Sequence, residues 1–192
     1  MISLNEFIYN IGFNEKAANF LLNYNITDSE YLYCKELFFS NTDSLLKYSE
    51  QKTDSKAFLL KLFVMLAIDN FDSIINELSL KRTALANVDL TQIYFDTMSD
   101  ILIWQEVYQR NTGQIGLIEP LWVSNAVKGR LYRFGRLQFE PDNKENIVHI
   151  HIPEGESLDS EKCKAAIKTA EEFFSEYTVF DCLSWLLSPN IL

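Results

Sequence analysis

Two neighbouring stretches constrain this chain more than any other part of it. Leu131 to Pro141 (LYRFGRLQFEP) and Ile147 to Gly155 (IVHIHIPEG) both alternate apolar and polar residues with period two. Such alternation sends successive side chains to opposite faces of an extended strand. Only the turn-rich Asp142-Asn143-Lys144-Glu145-Asn146 separates them, so the two stretches predict a hairpin with one apolar and one polar face. With Phe139 opposite Val148, Leu137 faces Ile150, Gln138 faces His149 and Arg136 faces His151. The polar face then collects Arg136, Gln138, Glu140, His149 and His151, including both histidines of the chain. A slip of one residue would mix the faces, whereas a slip of two would keep them and change the partners.

Before the hairpin the periodicity is helical. Asn14 is placed to cap a helix through Ala17, Phe20 and Leu21, and Thr53-Asp54-Ser55 precedes a long segment, Ala57 to Leu78, that is apolar on most sides. A helix of that kind belongs at the centre of a bundle. Periodicity weakens between Lys81 and Asp89, which marks a candidate boundary, and resumes from Leu90 to Arg110. Within that helix Asp96 and Asp100, one turn apart, read as a solvated side. The loop Asn111 to Gly116 ends it, and a shorter helix is expected from Glu119 to Val127. After the hairpin, Asp159 or Ser160 caps a helix to about Phe174, and Val179 to Leu187 is the last strand candidate. Strand, strand, loop, helix, strand fits an α+β domain whose helix crosses one face of the sheet. Trp104, Trp122 and Trp185 read as core anchors.

Composition excludes several classes. At 192 residues with 47% apolar content the chain is long enough for one domain or two small ones, and it shows no repeat. A formal charge of -10 argues against a general grip on nucleic-acid backbones. The local exception is Lys128-Gly129-Arg130 with Arg133 and Arg136 behind it, which reads either as a site for a small anion or as ordinary charges flanking a buried strand. The first residues lack a secretory signal and no apolar run reaches the roughly 20 residues of a membrane span, so a cytoplasmic protein without membrane contact is expected. Cys34, Cys163 and Cys182 are widely spaced and in no CxxC arrangement, which suggests reduced thiols and no thiolate zinc site.

Four ordered blocks carry a resemblance. YFDTMSDILIW, GRLYRFGRLQFEP, HIHIPEG and FDCLSWLLSP together resemble the carboxyl-terminal domain of bacterial GNAT-like acyltransferases, in which a helical amino-terminal domain comes first. The resemblance is strongest from about Gln92 to Pro189. It implies an α+β architecture, with a helical domain over residues 1–88 and a GNAT-like mixed sheet with packed helices over 89–192, its carboxyl-terminal strands expected to be truncated. It also implies acyl-CoA (acetyl-CoA) as donor, no metal, and transfer of the acyl group to a small acceptor, usually an amine. The cofactor would lie along Val148 to Ile152 and the loop Pro153 to Asp159, so that Ile152, Gly155, Ser157 and Ser160 are its expected contacts. One departure is plain: the family's Gln/Arg-x-x-Gly-x-Gly/Ala loop is absent there, and PEGESLD supplies one glycine and three acids. Arg110 to Gly116 looks similar, but its spacing differs and it follows a helix.

Acyl transfer to an amine needs a base and donors for the oxyanion. His149 or His151 supplies the base in this reading, with Glu140 orienting a histidine or binding the acceptor, and Arg136, Gln138, Cys182 and Ser184 lining the acceptor side. Cys182 and Ser184 would share one strand face. The same polar residues also suit a buried network that holds the strands in register, and His-x-His with a glutamate suits a metal. Two functions therefore stand side by side: an acyl-CoA-dependent acyltransferase, or a non-catalytic binding protein that keeps the fold.

Overall fold

Side-chain caps set where most helices begin. In the computed structural model, which describes residues 2–80, 89–155 and 157–184, α1 (Leu4–Ile11) starts at Ser3 in a reciprocal box with Glu6. Asn14 caps α2 (Glu15–Asn23) as the sequence predicts, accepting the Ala17 N–H at 3.0 Å. Thr27 and Asn41 do the same for α3 (Asp28–Ser40) and α4 (Thr42–Ser49). Then follow α5 (Ser55–Leu80), α6 (Leu90–Thr112), which Asp89 caps through the Thr91 N–H at 2.9 Å, and α7 (Pro120–Val127). The expected connection over 81–88 and the close of the last strand, with Trp185, lie outside the described residues.

The chain forms two compact units that interleave along the sequence. One unit comprises Met1–Asp72 with Met98–Lys128, the other Ser73–Thr97 with Gly129–Leu192, within the described residues of each. In the first, Phe58, Leu59, Leu60, Leu62, Phe63, Val64, Leu66 and Ala67 of α5 are all buried, as a central helix requires. Each large apolar side chain so buried contributes roughly 1.5–3 kcal/mol. Asp100 departs from its expected solvated position: it is buried and accepts the Trp122 indole N–H at 2.9 Å. Helical spacing puts two acids on one side but does not say what covers it. Trp122 itself is half-buried, as is Trp104.

The second unit is built on a four-stranded mixed sheet in the order β1-β2-β3-β4. The stretch read as one strand from Leu131 to Pro141 is two: β1 (Tyr132–Phe134) and β2 (Leu137–Asp142), joined by Gly135 and Arg136. Gly135 has φ 54, the sign that a two-residue hairpin with glycine first demands. β3 (Ile147–His151) pairs antiparallel with β2, and β4 (Val179–Asp181) pairs parallel with β3 after α8 (Ser160–Phe173).

The hairpin register differs from the expected one by two residues: Phe139 lies opposite Ile150, Gln138 opposite His151 and Glu140 opposite His149. The turn is the reason. The Asp142 carboxylate accepts the N–H groups of Lys144 (2.7 Å) and Glu145 (3.2 Å), and Asn146 takes φ 56, which closes a four-residue loop between Asp142 and Ile147. Because the slip is two, the faces survive. Leu137, Phe139 and Val148 are buried on the apolar face, and Ala166, Ala170 and Phe173 of α8 are buried toward the sheet. Phe173 meets Tyr132 and Phe134 at ring distances of 5.4 and 5.2 Å. Asp159 is the cap of α8, accepting the Lys162 N–H at 2.9 Å.

Candidate active site

The polar face of the sheet carries Gln138 and Glu140 on β2, His149 and His151 on β3, and Asp181 on β4. Covering the opposite face with α8 leaves these groups to line the second surface. Each imidazole has its own carboxylate. His149 Nδ1 lies 2.7 Å from Asp181 Oδ1, and His151 Nε2 lies 3.1 Å from Glu140 Oε2. All four side chains are partly accessible, between 29% and 38% exposed, so solvent or a ligand reaches them. Gln138, on the same face and paired with His151, is buried.

An ionised carboxylate only accepts hydrogen bonds, so each contact assigns a proton. His149 carries hydrogen on Nδ1, and its Nε2 points away from Asp181. His151 carries it on Nε2. Asp181 is the member that the sequence reading missed. It follows His149 by 32 residues, and only the parallel pairing of β3 with β4 sets them side by side.

That parallel ladder is short. It joins Ile147 to Val179, Val148 to Phe180 and His149 to Asp181, and β3 then continues to His151 while β4 has ended. His149 and Asp181 therefore sit where the two strands part. On the hairpin side of this point lies a recess of about 580 Å³, lined by Arg130, Glu140, Pro141, Asp142, Asn143, Lys144 and His149. Two backbone N–H groups hold the Asp142 carboxyl below the usual carboxylate range. Arg130, flagged in sequence as part of a basic cluster, thus lines a concavity, and Lys144 joins it from the turn.

Three expected site residues are placed differently. Arg136 does not face His151 from a strand; it lies in the β1–β2 turn, 4% exposed, and its guanidinium donates to Pro153 O (Nη1, 2.9 Å) and Ser157 O (Nε, 3.3 Å). Cys182 and Ser184 do not share a strand face, because β4 ends at Asp181 and both are half-buried in irregular chain. Burial, with Asp181 beside it, pushes the Cys182 thiol pKa up, which opposes thiolate formation. Ile152, Gly155 and Ser157 occupy the connection between β3 and α8, and Ser160 is the first residue of α8. Among the described residues no group of three or more His, Cys, Asp or Glu side chains is placed to hold a metal ion, and no helix is long and apolar enough to cross a membrane.

Residues 131–192 match the sequence family described as the GNAT-like C-terminal domain. No curated protein sequence matches the chain. Among solved structures, the fold is shared with an acyltransferase in complex with decanoyl-CoA, at a TM-score of 0.67 and 16% identity, over 98% of this chain and 64% of that one. An acyltransferase bound to decanoyl-CoA and teicoplanin gives 0.68 at 15% identity, over 98% and 63%. An acyltransferase complex with CoA and 10C-teicoplanin gives the same values. This chain therefore spans just under two thirds of the length of those proteins, and at these identities the likeness is one of fold. The expected α+β architecture, with helices preceding a GNAT-like mixed sheet, is what the chain has.

Proposed function

We propose that this protein is an acyl-CoA-dependent acyltransferase that moves the acyl group to the amine of a small acceptor, with His149 as general base. The observation that carries this reading is the His149–Asp181 pair at the point where β3 and β4 part, with the recess beside it. The coenzyme A arm would run along the end of β3 and the loop after it, with Ile152, Gly155, Ser157 and Ser160 as contacts. The neighbouring structures that bind decanoyl-CoA and CoA support this choice of donor. A coenzyme A substrate also agrees with a cytoplasmic location.

The acceptor enters from the recess. Glu140 faces its ammonium there, and His149 Nε2, left free by the Asp181 contact, removes the proton that attack requires. The amine nitrogen then bonds to the thioester carbonyl carbon, the tetrahedral adduct collapses with cleavage of the C–S bond, and the second proton of the nitrogen passes to the departing thiolate, so that coenzyme A leaves as its thiol. Asp181 holds the ring in the productive tautomer and stabilises the imidazolium as it forms. The His151 pair fixes Glu140 at the edge of the recess. Gln138 is too buried to meet the acceptor directly and supports His151 from the adjacent strand.

Titrating acetyl-CoA and decanoyl-CoA while following thermal unfolding tests donor binding. A ligand at 100 times its Kd stabilises the folded state by about 2.7 kcal/mol, which raises the midpoint by several degrees. His149→Asn should leave that shift intact and lower turnover about 10²–10⁴-fold. No midpoint shift at millimolar donor, with either chain length, would replace this reading by that of a non-catalytic binding protein.

A further inference from the structure

The loop after β3 lacks the glycine-rich pattern with which such folds hold a pyrophosphate, and it carries Glu154 and Asp159 where phosphates would lie. Arg136 addresses both problems. Its side chain is buried at 4% exposure, and it spans the loop by donating to Pro153 O at 2.9 Å and to Ser157 O at 3.3 Å. Those two carbonyls belong to the Pro153–Glu154 and Ser157–Leu158 peptide units. In a planar trans peptide the C=O and the following N–H point in opposite directions. With both carbonyls turned onto the guanidinium, the N–H groups of Glu154 and Leu158 are turned away from it. Between the two anchors Gly155 adopts φ 119, a conformation that side-chain-bearing residues rarely take. A guanidinium is also charged at any pH the protein meets, so a fixed positive charge sits behind a loop whose own side chains are acidic.

We infer that Arg136 is the positioning residue of the coenzyme A pyrophosphate loop, replacing the absent glycine-rich motif by turning two loop amides outward and offsetting the loop's carboxylates. This rests on the acyl-CoA reading above. It assigns Arg136 a part in donor binding through the loop and none in contact with the acceptor.

The test compares wild type with Arg136→Gln and Arg136→Lys in three measurements. Backbone nitrogen relaxation by NMR on the ligand-free protein reads the loop itself: the order parameters of residues 154, 155 and 157–159 should fall below about 0.6 in Arg136→Gln, with β2, β3 and the later turns of α8 unchanged near 0.85. Calorimetric titration with coenzyme A, and separately with pantetheine, reads the role. Pantetheine lacks the pyrophosphate, so Arg136→Gln should weaken coenzyme A binding at least tenfold and leave pantetheine within about twofold. Arg136→Lys, which keeps the charge but not the fork, should recover part of the loss, and it serves alone should the glutamine variant fail to fold. Unchanged loop order parameters overturn the inference, as does a loss that is equal for coenzyme A and pantetheine. Wild-type protein that binds neither molecule overturns the acyl-CoA reading, and the two failures are thereby told apart.

Discussion

Lys61 is the one lysine in the buried part of α5, and its ammonium donates at 2.5 Å to the carbonyl of Leu21 in the last turn of α2. It thus serves one of the carbonyls that a helix end leaves without an intrahelical donor. Burial lowers its pKa below the ordinary value of 10.5. The sign follows: between the folded value and 10.5 the unfolded chain binds more protons, so stability rises with pH through that window. Below the folded value the cost of burying the charge is present in full. In Lys61→Met that dependence is gone, so the melting temperature of the variant relative to wild type should fall as pH rises from 8 to 10.5. A difference that stays constant over that range would show that the ammonium carries no burial cost. Cys34 is a second buried group in the same unit, its thiol pushed up to about 11 by burial, which keeps it neutral and inert at physiological pH.

At the scale of elements, the β1–β2 turn decides where the polar face begins. Gly135 sits at φ 54 with open space where a Cβ would be, so strain alone sets the cost of substitution. Gly135→Ala should destabilise the protein by about 1–2 kcal/mol, read as a lower denaturant midpoint at unchanged slope. Gly135→Asn should cost less, since asparagine tolerates the left-handed region. The next turn shows how register escapes a reading of periodicity. Alternation specifies faces modulo two, so it excludes a one-residue slip and says nothing about a slip of two. The Asp142 hydrogen bonds to Lys144 and Glu145 settle that choice, and they bring Glu140 within reach of His151.

At the scale of the whole molecule, the last part of α5, from Ser73 onward, belongs to the sheet unit. Ile74 and Leu78 are buried there, and the Tyr132 hydroxyl donates to Glu77 at 2.9 Å, its pKa raised first by burial and then by that carboxylate. Thr97 Oγ1 accepts the Arg133 N–H at 2.9 Å, tying β1 to the first part of α6. A fragment of residues 89–192 lacks residues 73–80. It should melt without the cooperative transition of the full chain when followed by circular dichroism. A sharp two-state melt of that fragment would show that the end of α5 is dispensable to the sheet.

Local chemistry alone determined a good deal of this protein. A cap at Asn14 and another at Asp159 or Ser160, the central character of α5, the two-faced hairpin and the α+β order all follow from side-chain periodicity and turn residues, which act over a few positions of chain. The tertiary structure decided what those rules cannot reach. It placed Asp181 against His149 through a parallel strand pair, buried Asp100 under Trp122, and turned Arg136 from the polar face onto the carbonyls of Pro153 and Ser157. These contacts join residues 17 to 32 positions apart, and hydrogen-bond partners at such separations are chosen by how strands and helices pack, for which a linear pattern holds no term.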